Sequence, residues 1–167
     1  MASKDPISPV RIPNPGRNRL QRLVFEILRP AIDSGLGLKQ LNKIYSQRVL
    51  ATDESLPVGE RFLRGFNAGY LTSDEELARI PKEGPLVVVA NHAFGGLDAM
   101  VLDDLVAKVR PDVRFIANSI LAAVPAIGDR IFPVDPFGGR DAARRNAGSI
   151  RRAKEWVENG GSLAVFP

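Results

Sequence analysis

His92, the only histidine in the chain, lies in a segment whose residue types could transfer a proton. Asn91 precedes it, and Asp98 follows after five intervening residues. An imidazole can take a proton from a hydroxyl or an amine near neutral pH, and a carboxylate can hold its ring in one tautomer. The chain has no cysteine, and this segment has no serine. Direct attack by an activated acceptor is therefore a simpler mechanism than a covalent enzyme intermediate.

The element before this segment places it where ligands commonly bind. The continuous apolar run Leu86–Ala90 predicts a buried strand, and Gly95-Gly96 lets the backbone approach a ligand or a neighbouring strand closely. In open α/β sheets, ligands bind beyond the carboxyl ends of the strands. A single histidine in a loop is more commonly a hydrogen-bonded structural residue, and that is the alternative here. Its position at the end of a strand favours a chemical role.

Strand and helix patterns alternate after residue 70. Apolar spacing predicts helices over 97–109 and 141–157, and a short helix divided by Pro125 over 119–127. Further strands are predicted over 113–117, 130–134 and 162–166, with Pro133 placing the second of these at a sheet edge. The predicted fold is α/β, with a mostly parallel sheet flanked by helices and an amphipathic helical segment before it.

The N-terminal part divides into two segments. Residues 1–18 contain four prolines and no apolar stretch typical of a secretion signal, so a disordered leader is predicted. Residues 19–66 form an amphipathic helical segment, and the core domain occupies 67–167. One apolar stripe, interrupted by Pro30, comprises Leu20, Leu23, Val24, Ile27 and Leu28, and a second comprises Leu38, Leu41, Ile44, Tyr45 and Val49.

The charge pattern leaves two interpretations of these helices open. The net charge is +4, but residues 1–50 carry a balance of +6, including Arg19, Arg22 and Arg29 beside the first stripe. A basic amphipathic helix suits an anionic membrane interface. Packing of the same stripes on the domain core is the alternative.

Composition excludes several classes of site. Without cysteine and with one histidine, thiolate metal sites and zinc sites with several imidazoles are impossible, so we expect no metal and no cofactor. The longest apolar run is far shorter than the roughly 20 residues of a membrane-spanning helix. No zinc-finger, RNP-type or helix-turn-helix pattern supports nucleic-acid binding, and no G-x-G-x-x-G spacing supports a dinucleotide site.

The segment from Val87 to His92, followed by Asp98, resembles the first block of the glycerolipid acyltransferase family, which includes glycerol-3-phosphate and lysophosphatidic acid acyltransferases. That family usually has four residues between histidine and aspartate. The five intervening residues found here are similar to those of a bacterial subgroup that has the sequence Asn-His-Pro-Phe-Gly-Gly. In this chain, Ala93 stands in place of the proline. The resemblance covers roughly residues 78–167 and includes three further blocks, at 116–119, 132–139 and 160–167.

This resemblance implies acyl transfer from acyl-CoA or acyl-carrier protein to a lysophospholipid or related lipid acceptor. His92 would deprotonate the acceptor and Asp98 would orient His92, with Gly95-Gly96 absorbing the extra residue as a local bulge. Pro136 occupies roughly the place of the family's phosphate-binding arginine, so nearby guanidinium groups are the alternative candidates. The candidate substrate-binding residues are Asn91, Phe94, Gly95, Gly96, Arg140 and Arg144.

The resemblance also sets expectations for partners and for the extent of the chain. The partners would be the acyl donor, the lipid acceptor and an anionic membrane surface, with the protein peripheral to the cytoplasmic face of the inner membrane. A non-catalytic lipid- or membrane-binding module of the same fold, or an inactive fragment, is the alternative. Because Pro167 directly follows an apolar run that the family continues with an acidic residue and a glycine, we expect the acyltransferase core to be incomplete at its C-terminus.

Overall fold

The computed structural model describes residues 14, 18–35, 38–136 and 139–166. Most of the predicted leader, Phe137-Gly138 and Pro167 lie outside these residues. Within the described residues, the helices are α1 (Arg19–Gly35), α2 (Leu38–Ile44), α3 (Val58–Phe66), α4 (Asp74–Leu77), α5 (Gly96–Ala107) and α6 (Ala142–Glu158). The strands are β1 (Leu86–Val89), β2 (Arg114–Asn118), β3 (Ile131–Val134) and β4 (Ser162–Val165).

The four strands form one parallel sheet in the order β1-β4-β2-β3. The last strand in sequence therefore lies between the first two, and β1 and β3 form the edges. Pro133 lies in the edge strand β3, as its missing donor predicts. The predicted α/β class with a parallel sheet is confirmed.

Helices cover the two faces of the sheet. On one face, Val106 of α5 packs in a buried cluster with Val113, Phe115 and Ala164. On the other face, Ala153 of α6 packs against Phe132 and Leu163, with Trp156 and Val157 beside them. The strands β2, β3 and β4 thus contribute alternate residues to the two cores, which is the arrangement of a covered parallel sheet.

The predicted burial of β1 is only half right. Val87 and Val89 are 52% and 63% exposed, whereas Val88 packs against the α5 face. The reason is the position of β1 at the sheet edge, where α6 covers Leu163 of the neighbouring strand but leaves both valines uncovered. The strand β4 is central, and its residues Ser162, Leu163 and Ala164 are buried.

The N-terminal helices differ in how they pack. The helix α1 continues through Pro30 rather than ending there, and it contains no buried residue. Pro30 has no backbone N–H to donate to the carbonyl one turn earlier. Because α1 is exposed, water can hydrate that carbonyl instead. The second stripe packs on the core, because Tyr45 and Val49 lie on a π-helical turn (Tyr45–Val49) and join Phe62 in a buried cluster. The interpretation that the stripes pack on the domain core is therefore confirmed for the second stripe and wrong for the first.

No helix in the described part of the chain combines the length and apolar character needed to span a membrane.

Candidate active site

The loop between β1 and α5 brings His92 and Asp98 together. His92 Nδ1 lies 3.6 Å from Asp98 Oδ2. Asp98 is in the first turn of α5, and the same oxygen accepts a hydrogen bond of 2.8 Å from the backbone N–H of Phe94. The carboxylate is thus held by the loop that carries the histidine, which orients it toward the imidazole.

Gly95 makes this turn possible. Its φ of +62° and ψ of −128° lie in a region that residues with a Cβ rarely adopt. Gly95 immediately precedes α5, and its carbonyl accepts the backbone N–H of Asp98 at 3.1 Å. The backbone therefore turns sharply between the two side chains, as expected if Gly95-Gly96 accommodates the fifth intervening residue.

His92 is also held from its ring face. The imidazole stacks on Phe166, which follows β4, with ring centroids 4.3 Å apart and planes inclined by 26°. The His92 side chain is 42% exposed and that of Asp98 is 22% exposed. A substrate can thus reach the imidazole, while the carboxylate is more shielded from water.

An apolar cavity of about 370 Å³ opens beside this loop. Phe94, Gly96 and Leu97 from the loop and the start of α5 line one side of it. The other walls come from α2, the π turn, α3, α5 and the segment after β2, and comprise Leu41, Tyr45, Phe62, Phe66, Ala99, Met100, Leu121, Val124 and Ile127. The cavity therefore adjoins the loop that carries His92, although His92 itself is not among the residues that line it.

The remaining predicted binding residues are distributed unevenly. Asn91 is exposed in the same loop as His92. Arg140 lies on a 3₁₀ turn before α6, with its side chain outside the described part of the structure. Arg144 is exposed in the first turn of α6, in an open cleft of about 430 Å³ with Asp141 and Arg145.

The structure does not place Arg144 in contact with the histidine. His92 follows β1 and Arg144 follows β3, the opposite edge strand, although both lie toward the carboxyl edge of the sheet. Three strand spacings separate those edges, which is about 14 Å. The arginine cleft and the His92 loop are therefore two separate features.

Sequence reasoning missed the ring that stacks on His92 and most of the cavity. Phe166 lies in the family-like block at 160–167, but the sequence alone assigns it no role. The signal for it was weak, because the contact depends on β4 lying beside β1, and local patterns do not report strand order. Tyr45, Phe62 and Val124 were likewise readable only as core residues.

Comparison with known proteins gives one family. No curated protein and no solved structure matches the chain. The profile of a family described as "Acyltransferase" matches residues 39–164, which contain His92, Asp98, the strands β1 to β3 and all of β4 except Val165. The chain therefore belongs to this acyltransferase family.

Proposed function

We propose that this protein transfers a fatty acyl group from acyl-CoA or acyl-carrier protein to the hydroxyl or amine of a lysophospholipid or related lipid acceptor. The observation that carries the proposal is a histidine paired with a carboxylate, on a loop whose following residues Phe94 and Gly96 line an apolar cavity, in a chain of the acyltransferase family. The histidine supplies proton transfer, and the cavity suits a fatty chain.

The geometry suggests how a proton would move. Asp98 faces Nδ1 of His92, so Nε2 is the nitrogen available to the acceptor. In the proposed step, Nε2 takes the proton from the acceptor as its oxygen or nitrogen attacks the thioester carbonyl. The tetrahedral intermediate collapses, the carbon–sulfur bond breaks, and the thiolate takes the proton back from Nε2. Asp98 stabilises the transient imidazolium, and the 3.6 Å separation can shorten when the ring is charged.

The cavity supports a fatty acyl group over a polar one. Its lining consists of aliphatic, aromatic and methionine side chains apart from Gly96 and the Tyr45 hydroxyl. Each methylene moved from water into such a site contributes about 0.8 kcal/mol of binding free energy. Phe94 is 77% exposed, so one apolar ring of the lining already faces the solvent from which a substrate enters.

The acceptor side has less support in the geometry. Arg144 is exposed and, like His92, lies toward the carboxyl ends of the strands, although it follows the opposite edge strand. A guanidinium suits a phosphate or carboxylate. We therefore retain Arg144, together with Arg140 four residues before it, as the proposed contacts for an anionic group of the acceptor.

We also propose that the protein acts at the cytoplasmic face of a membrane, as a peripheral protein. Leu20, Leu23 and Ile27 of α1 are 69%, 59% and 68% exposed, and Arg19 and Arg22 lie on the same helix. This pairing of exposed apolar and basic residues suits an interfacial helix. Such a location would bring lipid substrates to the enzyme.

Thiol release provides a direct test of the reaction. The chain contains no cysteine, so a thiol reagent such as dithionitrobenzoate detects free coenzyme A without background from the protein. We expect palmitoyl-CoA and a lysophospholipid to yield free thiol and diacyl product together. His92→Ala should lower the rate by about 10²- to 10⁴-fold, the usual contribution of a general base. Asp98→Asn should give an intermediate rate.

The controls separate catalysis from lipid binding. Arg151→Gln, at a 76% exposed position on α6, should keep the wild-type rate. Fluorescent fatty acid should bind equally to wild type and His92→Ala, because the cavity remains. Binding without turnover in the wild type, with either acyl-CoA or acyl-carrier protein as donor, would favour a non-catalytic lipid-binding module instead.

A further inference from the structure

The contact between His92 and Phe166 joins the histidine loop to the centre of the sheet. The two ring centroids are 4.3 Å apart and the planes are inclined by 26°, so the rings overlap face to face. The two residues are 74 positions apart in sequence. His92 follows β1, and Phe166 follows β4, the strand paired with β1. The stack is therefore a tertiary contact at the candidate site.

Phe166 is fixed more firmly than His92. It directly follows β4, which pairs with β1 on one side and β2 on the other, and the N–H of Ala90 donates to the carbonyl of Val165 at 3.3 Å. Its ring also packs near Phe115, with centroids 6.4 Å apart, at the border of the α5-side core. His92 lies on an exposed loop, so the aromatic ring is the rigid member of the pair.

We infer that Phe166 is a positioning residue for His92. The ring packs on one face of the imidazole and keeps it from rotating away from Asp98, so Nδ1 stays toward the carboxylate and Nε2 toward the acceptor. An aromatic face also attracts a cation, so it stabilises the imidazolium formed when His92 takes a proton. This inference rests on the proposed role of His92 as the base.

Two substitutions separate positioning from plain packing. Phe166→Leu keeps an apolar side chain but removes the aromatic face, and Phe166→Tyr keeps the face. We expect Phe166→Leu to lower kcat about tenfold, with little change in KM for palmitoyl-CoA, since cation–π contacts at partly shielded sites are of that size. Phe166→Tyr should stay within about twofold of the wild type. Equal kcat losses in both variants, or none in Phe166→Leu, would overturn the inference.

A spectroscopic measurement tests the same point independently of activity. Because His92 is the only histidine, its two ring C–H protons give the only imidazole signals in an NMR spectrum of the whole chain. These protons correlate with the two ring nitrogens, whose chemical shifts distinguish a protonated nitrogen from a bare one. In the wild type and in Phe166→Tyr, the neutral ring should hold its proton on Nδ1, facing Asp98, and leave Nε2 bare. Phe166→Leu should shift both nitrogen signals toward the averaged values of a free imidazole with mixed tautomers, a change that loss of the ring current alone does not produce. Circular dichroism should show that the fold persists. Asp98→Asn is the matched control, since it removes the carboxylate without removing the ring.

The two readouts keep this inference distinct from the proposed function. If the wild type and His92→Ala are equally inactive, the proposed function fails, and the imidazole signals alone decide whether Phe166 positions the ring. Imidazole signals that do not move in Phe166→Leu would overturn the inference even in an active enzyme.

Discussion

The Arg110–Asp112 pair aligns the strands that carry the candidate site. Arg110 is 4% exposed, and its guanidinium donates to both carboxylate oxygens of Asp112 at 2.9 Å. It also donates to the carbonyls of Gly84 at 2.9 Å and Gly160 at 2.7 Å, which precede β1 and β4. The strands that end near His92 and Phe166 are thus tied together at their opposite ends.

This pair predicts an acid-dependent part of the stability. The Arg110 guanidinium, together with the N–H of Ser162, holds the pKa of Asp112 below its usual range. A carboxyl whose pKa is lowered by folding stabilises the protein above its unfolded pKa of about 3.9, and the contribution is lost as pH falls through the lower folded pKa. Asp112→Asn should therefore cost about 1 kcal/mol at neutral pH, a small value because the side chain is a third exposed.

Urea denaturation from pH 7 down to about pH 2 measures this effect. The free energies of unfolding of the wild type and Asp112→Asn should become more similar below the unfolded pKa of about 3.9. The reason is that the Asp112 carboxylate of the wild type then becomes protonated. Glu75→Gln, at an exposed position of α4, is the matched control for removing one carboxylate. A difference that stays constant over the whole range would mean that the ion pair contributes nothing specific to acid sensitivity.

At the scale of elements, local patterns predicted which segments form helices and strands but not their neighbours. The runs Leu86–Val89 and Leu163–Val165 are both apolar, yet the first lies in the edge strand β1 and the second in the central strand β4. That difference depends on the crossovers, which the spacing of residues does not encode. His92 and Asp98 were predictable as a pair because one loop and one helical turn connect them. Phe166 was not, because its contact requires β4 to lie beside β1.

The contact between α3 and α5 depends on one glycine. A Cβ at Gly59 would lie 2.5 Å from the backbone N of Asp104 and 2.6 Å from the backbone O of Met100. The backbone N–H of Gly59 also donates to Asp103 Oδ2 at 2.7 Å. The two helices therefore approach more closely than any side chain at this position would allow, and both contribute walls to the apolar cavity.

We expect Gly59→Ala to lower the free energy of unfolding by about 2–3 kcal/mol, the upper range for overpacking, because backbone atoms cannot move aside easily. Gly148→Ala is the matched control within α6, where a new Cβ meets only Arg152 Nη1 at 3.8 Å. That control should stabilise the protein by up to about 1 kcal/mol through helix propensity. Chemical denaturation of both variants tests this, and a Gly59→Ala protein as stable as the wild type would contradict the close packing.

At the scale of the whole molecule, apolar and basic residues coincide on α1. Its five stripe residues are 46% to 69% exposed, whereas Tyr45 and Val49 of the second stripe are buried in the core. Arg19 and Arg22 are exposed beside the stripe. Arg29 differs, because its guanidinium lies over the Phe25 ring and on Glu26, and its side chain is only 12% exposed. Because Arg19 and Arg22 are more exposed than Arg29, we predict that these two arginines contact the lipid phosphates when α1 lies on a membrane.

Vesicle binding tests whether α1 is an interfacial helix. We expect the wild type to bind phosphatidylcholine vesicles more tightly when they contain phosphatidylglycerol, and to lose that difference as salt is added. Arg19→Gln with Arg22→Gln should weaken binding to the anionic vesicles by about tenfold to thirtyfold, since each basic residue near such a surface is worth about 1 kcal/mol. Leu23→Ser with Ile27→Ser should weaken binding to both kinds of vesicle, because it removes apolar area. Arg151→Gln with Lys154→Gln removes the same number of positive charges from α6. This control should leave vesicle binding unchanged if the attraction is local to α1. Equal losses from α1 and α6 would instead attribute binding to net charge, and an unaffected α1 double variant would leave Arg19 and Arg22 as ordinary surface charges.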